Sequence, residues 1–314
     1  MNGELSPNTQ AILLLTAPLG SGARDLAFTT SEYSHLAVTL RDAGRQPADL
    51  LTHEAEVLAA CGVVDTERVR RLLARGFQLS QAIERWRSRA IWVISRADPR
   101  YPRRLKQRLG QASPPLLYGV GDVGLLELGG LAIVGSRAAD AAALEYARAT
   151  GELCARGGRG VVSGGARGVD RAAMRGALDG DGHAVGVLAD NLERAAIERD
   201  HRAPLIAGAL VLVSPYDPGA GFDVAHAMQR NKLIYGLADA ALVVATERDK
   251  GGTWAGAIEQ LDVLRFVRVY VRATTSPGLD ALAARGAQRW PALAPDRFDA
   301  LDQLDELLPQ RGGP

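Results

Sequence analysis

The chain has 314 residues, of which 47% are hydrophobic and 23% charged, and its formal net charge is +1. This length can bury a large core, and the composition is typical of soluble globular proteins. The apolar stretches are shorter than the roughly 18 residues of a membrane span, and the N-terminus lacks the basic region of a signal peptide. The charge excludes a globally basic protein, although a local basic patch is still possible.

The two cysteines, Cys61 and Cys154, lie in unrelated contexts without the spacing of a disulfide or a metal site. This usage is typical of a reducing cytoplasm. We therefore expect a soluble cytoplasmic protein that makes no membrane contact.

The first 90 residues predict a small helical leader domain. Asn8 is expected to cap the first helix and Gly76 to separate the last two. Apolar side chains recur at helical spacing after a Thr/Ser cap, at Tyr33, Leu36, Ala37 and Leu40. The stretch "LLLTAPLGSGARDL" predicts either a helix-hairpin-helix contact with DNA or, more simply, a packing module.

After residue 90 the pattern changes to a short strand, a Pro-rich connection and a second strand at 116–118. From Leu131 onward, strands and helices alternate. The predicted strands are "LAIVG", "GVVSG", "AVGVL", "ALVLVS", "AALVVAT" and "RVYVR", and the predicted helices lie near residues 141–156, 169–179, 223–237 and 254–265. Strands that are apolar on both faces predict a parallel sheet. We expect an α/β protein with a Rossmann-like, doubly wound, mostly parallel sheet over 91–290 and a short tail at 291–314.

In such a sheet, ligands bind outside the carboxyl ends of the strands. Four loops predicted at that edge combine small residues with Arg or Lys. The residues are Gly135, Ser136 and Arg137; Ser163, Gly164, Gly165, Arg167 and Gly168; Arg230, Asn231 and Lys232; and Lys250, Gly251, Gly252 and Thr253. Backbone N–H groups and helix N-termini attract anions, and Arg and Lys bind phosphate oxygens. The four loops together predict a phosphate-binding rim, although any one of them could be only a tight turn.

Several nearby residues have a structural alternative. Asp170 is expected to complement or cap its helix rather than to act as an acid or base, and Glu259 is expected to be structural. Trp254 and Tyr216 could stack on nucleic-acid bases or pack in the core. The chain contains no dinucleotide-binding fingerprint, P-loop, nucleophile elbow or Cys/His cluster. We therefore expect no catalytic residue, cofactor or metal.

These segments resemble the DNA-processing protein A family, also called DprA or Smf. The matching pieces are "LAIVGSRAADAAALEYA", "GVVSGGARGVDRAAMRGAL", "QRNKLIYGLADAALVVAT" and the upstream "ADPRYPRRLKQRLGQASPPLLYGVGD". The resemblance covers roughly residues 90–290. It implies binding of single-stranded DNA, loading of a RecA-type recombinase in natural transformation, and a homodimer. The residues that match its motifs are Ser136, Arg137, Ser163, Gly164, Arg167, Gly168, Arg230, Asn231 and Lys232.

The sequence departs from this pattern in three places. Met174 stands where the family usually has histidine, and "KGGTWAGAIEQ" replaces a serine-glycine-serine run. After about residue 290 we expect only a short tail, without the winged-helix domain of some members. The departures leave open a role in another DNA transaction or in defence against foreign DNA.

Two other functions remain open. The segment "GGTWAGAIEQ" is faintly similar to a motif of LOG-type nucleoside-monophosphate phosphoribohydrolases, but Glu259 lies six residues after Thr253 instead of three. The third possibility is a sensor of a free nucleotide. Basic residues spread over four loops favour a DNA strand over a mononucleotide.

Overall fold

The computed structural model describes residues 5–20, 26–62 and 65–290. The N-terminal part is helical, as predicted. Its helices are α1 (Pro7–Thr16), α2 (Thr30–Asp42), α3 (Asp49–Thr52), α4 (Glu54–Ala60), α5 (Thr66–Leu73) and α6 (Gly76–Arg87). The helix-hairpin-helix candidate spans 13–26, and its residues 21–25 lie outside the described part of the chain.

Local capping explains where the first helices begin. The prediction that Asn8 caps α1 is wrong, because Ser6 accepts the capping hydrogen bond from the Thr9 N–H and Pro7 occupies the first turn. Asn8 instead accepts a hydrogen bond from the backbone of Ala48. A capping box formed by Thr29 and Glu32 starts α2.

The remaining chain alternates between strands and helices. The strands are β1 (Trp92–Ser95), β2 (Leu116–Gly121), β3 (Leu131–Gly135), β4 (Val161–Ser163), β5 (Ala184–Val187), β6 (Leu210–Ser214), β7 (Ala240–Ala245), β8 (Arg268–Val271) and β9 (Gln288–Arg289). The helices are α7 (Arg103–Leu109), α8 (Ala141–Arg156), α9 (Val169–Asp179), α10 (Leu192–Ala195), α11 (Arg199–Ile206), α12 (Val224–Leu237), α13 (Gly251–Glu259) and α14 (Pro277–Ala284). The bounds of α8 and α9 match the prediction, whereas α13 begins three residues earlier than predicted, at Gly251.

The nine strands form one sheet in the order β1-β2-β6-β5-β4-β3-β7-β8-β9. Seven neighbouring strands of this order, β6-β5-β4-β3-β7-β8-β9, are parallel. The other two, β1 and β2, form an antiparallel edge next to β6. Chain order reverses at β3, where Leu131 pairs with Val161 of β4 on one side and with Ala240 of β7 on the other. This confirms the mostly parallel, doubly wound sheet and places its topological switch point between β3 and β7.

Alternate residues of β3 supply the cores on the two faces of the sheet. Leu131 and Ile133 pack with α8 and α9 on one face, and Ala132 and Val134 pack with α12 and α13 on the other. The buried side chains of the helical leader belong to the same core as Leu131 and Ile133. Trp86 of α6, for example, contacts Tyr118 of β2 edge to face, with ring centroids 5.1 Å apart. Over 5–20, 26–62 and 65–290, no helix is long and apolar enough to cross a membrane.

Candidate functional site

A cleft of about 600 Å³ lies at the switch point, between the loops that follow β3 and β7. It is lined by Gly135, Ser136, Arg137, Asp170, Arg230, Asn231, Lys250, Gly251, Gly252 and Thr253, among others. The two loops are joined by a hydrogen bond of 2.9 Å from the Ser136 N–H to the Ala245 carbonyl. Because β3 and β7 are parallel neighbours, their carboxyl ends hold the walls of the cleft together.

The loop after β4 packs directly on the loop after β3. Gly168 has a φ of +91°, and a β-carbon there would lie 2.6 Å from the Ser136 carbonyl oxygen and 2.9 Å from the Arg137 α-carbon. Only glycine tolerates both this conformation and this approach. The contact places the backbone next to Arg167, the residue before Gly168, against the loop that carries Arg137, although Arg167 itself does not line the cleft. Gly165 belongs to the other side of the loop, where a β-carbon would meet Leu188 at 2.7 Å.

The Asp170 carboxylate, at the start of α9, ties the loops after β3 and β4 together at the floor of the cleft. It is only 6% exposed and accepts hydrogen bonds from the backbone N–H groups of Ala166, Gly135 and Gly164. Burial raises the pKa of Asp170 to about 6, against the opposing effects of Arg230 and the three N–H donors. Asp170 therefore stabilises the loops of the predicted phosphate-binding rim, in addition to lying at a helix N-terminus.

Arg230 lies in the floor of the cleft, whereas Ser163 lies inside the sheet at the end of β4. Arg230 is 5% exposed, and its guanidinium faces Gly164 so closely that a β-carbon there would lie 1.7 Å from Nη1. Burial lowers the pKa of Arg230 and the Asp170 carboxylate raises it. The Ser163 hydroxyl is buried and donates to the Ile133 carbonyl inside the sheet. Ser163 is thus turned away from any ligand in the cleft.

The other predicted basic residues are paired with acids. Lys232 Nζ lies 3.2 Å from Glu259 Oε1, and Lys250 Nζ lies 2.9 Å from Glu247 Oε2. Asn231 donates through Nδ2 to the Gly252 carbonyl at 3.1 Å, which joins α12 to the first turn of α13. These contacts leave little net positive charge on this wall of the cleft.

Arg137 and Arg167 carry the exposed positive charge. Both side chains are exposed, and neither has an ion-pair partner among the residues that the structure describes. The Arg137 guanidinium lies 4.9 Å from the centre of the Phe222 ring. Two arginines on adjacent loops, beside backbone N–H groups, can bind phosphate oxygens bidentately.

The sequence reasoning missed Phe222. It lies at the edge of the cleft and is 52% exposed, and Val224 and Met228 of α12 are exposed beside it. The available signal was the run "GFDVAHAM", which puts three large apolar residues near a helix start. The two aromatic residues that the sequence did single out both pack: Trp254 is buried, and Tyr216 stacks on His226 with ring centroids 3.8 Å apart.

A second cavity, of about 1170 Å³, lies between α9 and α11. Its rim alternates basic and acidic side chains, such as Arg171 with Glu198 and Arg175 with Asp179, which form ion pairs. Such a rim does not favour a polyanion. In the described part of the chain, no cluster of His, Cys, Asp or Glu could hold a metal ion.

Known proteins share both the sequence pattern and the fold. Putative DNA processing protein DprA of Mycobacterium tuberculosis is 35% identical over 184 residues, which are 56% of this chain and 46% of the relative. The match thus spans about half the length of that relative. DNA processing protein A of Streptococcus pneumoniae has a similar fold, with a TM-score of 0.64 and 20% identity over 84% of this chain and 95% of the other.

A second solved structure, of DNA processing protein A from Helicobacter pylori, has a TM-score of 0.56 and 21% identity, and covers 69% of this chain and 97% of that one. The family model for DNA recombination-mediator protein A matches residues 92–295, which is more than half of the chain. This chain therefore belongs to the DNA recombination-mediator protein A (DprA) family.

Proposed function

We propose that the chain binds single-stranded DNA at the switch-point cleft and holds it by the backbone phosphates. The observation that carries the proposal is the pair of exposed arginines, Arg137 and Arg167, on adjacent loops at the carboxyl edge of the sheet. The Helicobacter pylori structure, which shares the fold, is described as showing a unique single-stranded DNA binding mode for that protein.

The charge distribution supports a phosphate ligand on this rim. The buried Arg230 faces the Asp170 carboxylate, and Lys232 and Lys250 are paired with acids. The exposed positive charge at this edge of the sheet is therefore that of Arg137, which lines the cleft, and of Arg167 on the adjacent loop. Each phosphate that they neutralise releases counterions, so we expect binding to weaken as salt rises.

The wider role follows the family. We propose that the chain acts in DNA recombination as a homodimer in the cytoplasm and assists loading of a RecA-type recombinase. The description of the family as recombination mediators supports this role. We also propose a division into a leader domain at 1–90, a DNA-binding domain at 91–290 and a tail at 291–314. The start of the matched region at residue 92 supports the first boundary, and the tail lies outside the described residues.

One observation favours a second function, that of a nucleotide-processing enzyme. A carboxyl group with a pKa of about 6 lies at the floor of the cleft, at Asp170, and such perturbed groups occur at catalytic sites. Against this, Asp170 is fixed by three backbone donors. Glu259, the other candidate, is paired with Lys232 and does not line the cleft.

Competition binding separates the two functions. A fluorescent oligothymidylate is bound to the full chain and challenged with unlabelled oligothymidylate, duplex DNA or a nucleoside monophosphate. We expect displacement by the unlabelled strand, weak displacement by the duplex and none by the monophosphate. Displacement by the monophosphate, together with release of its base over time, would instead support the enzyme.

A further inference from the structure

Glu193 connects the helical leader to the sheet domain. It lies on α10, where its carboxylate is 16% exposed. Oε1 is 3.0 Å from Arg85 Nε of α6, and Oε2 is 3.7 Å from Nε of Arg89, just beyond α6. Both arginines lie before residue 92, where the family match begins. The two ion pairs therefore link the helical leader to the sheet domain through one largely buried carboxylate.

The backbone at the start of α10 holds the loop 215–223. The Asn191 N–H donates to the Ala220 carbonyl at 2.7 Å, and the Glu193 N–H donates to the Pro218 carbonyl at 3.0 Å. N–H groups in the first turn of a helix have no partner within the helix, and here the loop supplies the acceptors. The Glu193 carboxylate also lies close to the loop, 3.8 Å from where a β-carbon on Gly219 would be.

The same loop carries Phe222 to the edge of the cleft, where its ring contacts the Arg137 guanidinium. Next to Phe222, Asp223 caps α12, and at the start of the loop the Tyr216 hydroxyl donates to the His226 carbonyl. The middle of the loop, from Pro218 to Ala220, is thus the part that depends on α10. A continuous series of contacts leads from α6 through Glu193 and the loop to Arg137.

We propose that Glu193 is a positioning residue through which the helical leader fixes loop 215–223, and with it Phe222 and Arg137, in the conformation that binds single-stranded DNA. The inference deepens the proposed function and rests on it. It assigns the leader a role at the cleft although none of the leader's described residues lines it. Without the negative charge of Glu193, ion pairs no longer hold α10 and loop 215–223 to α6. Phe222 then no longer keeps a fixed position against the Arg137 guanidinium.

The first test requires no DNA. Hydrogen exchange is measured on the full chain for peptides that cover 188–194 and 215–223, in the wild type, Glu193→Gln and the control Glu198→Gln. Glu198 belongs to the same segment but pairs with Arg171 of α9. We expect hydrogen exchange in both peptides to accelerate about fivefold in Glu193→Gln, as for the loss of one partly buried ion pair. Exchange in Glu198→Gln, and exchange of β3 and α8 in both variants, should match the wild type. Unchanged exchange in these two peptides would overturn the inference.

A charge swap separates a specific pairing from a general loss of stability. The triple variant Glu193→Arg, Arg85→Glu and Arg89→Glu restores opposite charges across the contact. We expect it to return loop exchange toward the wild-type rate, whereas Glu193→Arg alone does not. If the swap exchanges as fast as Glu193→Arg, the ion pairs do not position the loop.

The second readout is affinity for a fluorescent oligothymidylate. We expect Glu193→Gln to bind about fivefold more weakly with an unchanged salt slope, because the number of phosphate contacts stays the same. Accelerated loop exchange with unchanged affinity would contradict a role for this loop in binding. If the wild type does not bind the oligothymidylate, the proposed function fails, and the exchange data still decide whether Glu193 couples the leader to the loop.

Discussion

The Asp170 carboxylate and the Arg230 guanidinium both face Gly164 at the floor of the cleft. A β-carbon at Gly164 would lie 2.6 Å from Asp170 Oδ2 and 1.7 Å from Arg230 Nη1. The glycine thus leaves the space in which two buried charges from α9 and α12 approach each other. Buried opposite charges stabilise a site only when each keeps its partners, so this arrangement should be sensitive to small changes.

Replacement of Gly164 by alanine tests that arrangement. The added methyl group would push Arg230 and Asp170 apart, and we expect Gly164→Ala to lower the free energy of unfolding by about 3 kcal/mol. The measurement is chemical denaturation. Gly252→Ala is the matched control, because a β-carbon there has no atom within 4 Å, and we expect it to be neutral or slightly stabilising. Equal stability of the two variants would contradict the account.

The raised pKa of Asp170 predicts an unusual pH dependence. Its folded value of about 6 exceeds the ordinary value of 3.8, so between these pH values the native state binds the proton more tightly than the unfolded state. The contribution of Asp170 to stability therefore falls as pH rises from about 4 to about 6, by up to about 3 kcal/mol, and is then constant.

The measurement is the difference in free energy of unfolding between the wild type and Asp170→Asn from pH 4 to 7. We expect this difference to decline across the window, because the asparagine does not titrate. Glu32 contributes in the opposite sense in both proteins, since Arg68 lowers its pKa to about 2, and its effect cancels in the difference. A difference that rises with pH would contradict a raised pKa.

Ser163 lies in the motif that suggests phosphate binding, yet its hydroxyl donates to the Ile133 carbonyl. We expect Ser163→Ala to lower the free energy of unfolding by about 1 kcal/mol, because a buried hydrogen bond is lost. Affinity for an oligothymidylate should stay within about twofold of the wild type, less than the effect of removing a phosphate contact. A large loss of affinity with unchanged stability would place Ser163 on the ligand surface.

Much of the fold could be predicted because the helix-capping residues and the spacing of the apolar residues indicate the same elements. Helix α8 begins after the capping residue Asp140 and ends before Gly157, and apolar strands alternate with such helices, so the parallel sheet and its ligand edge follow. The antiparallel edge was only partly predicted. The sequence shows β1 and β2 as strands, but the pairing of β2 with β6 depends on a contact distant in sequence.

The candidate site was predicted as a set of loops, and tertiary contacts decide which residues are exposed. Arg230, Lys232 and Arg167 look equivalent in sequence, but α12 turns Arg230 into the protein and brings Lys232 to Glu259. Phe222 was missed because an apolar residue near a helix start usually packs in the core. Neither burial nor charge pairing across separate elements can be read from one sequence.

The measurement that tests the central claim most directly is affinity for a fluorescent oligothymidylate across a salt series, in the wild type, Arg137→Ala, Arg167→Ala and the control Arg202→Ala. Arg202 is an exposed arginine of α11, away from the cleft. We expect each cleft variant to bind about tenfold more weakly and its salt slope to fall by about 0.7, the value for one phosphate contact on a single strand, while the control is unchanged. Cleft variants that bind as tightly as the wild type with the same slope would contradict the claim that these arginines hold the DNA backbone.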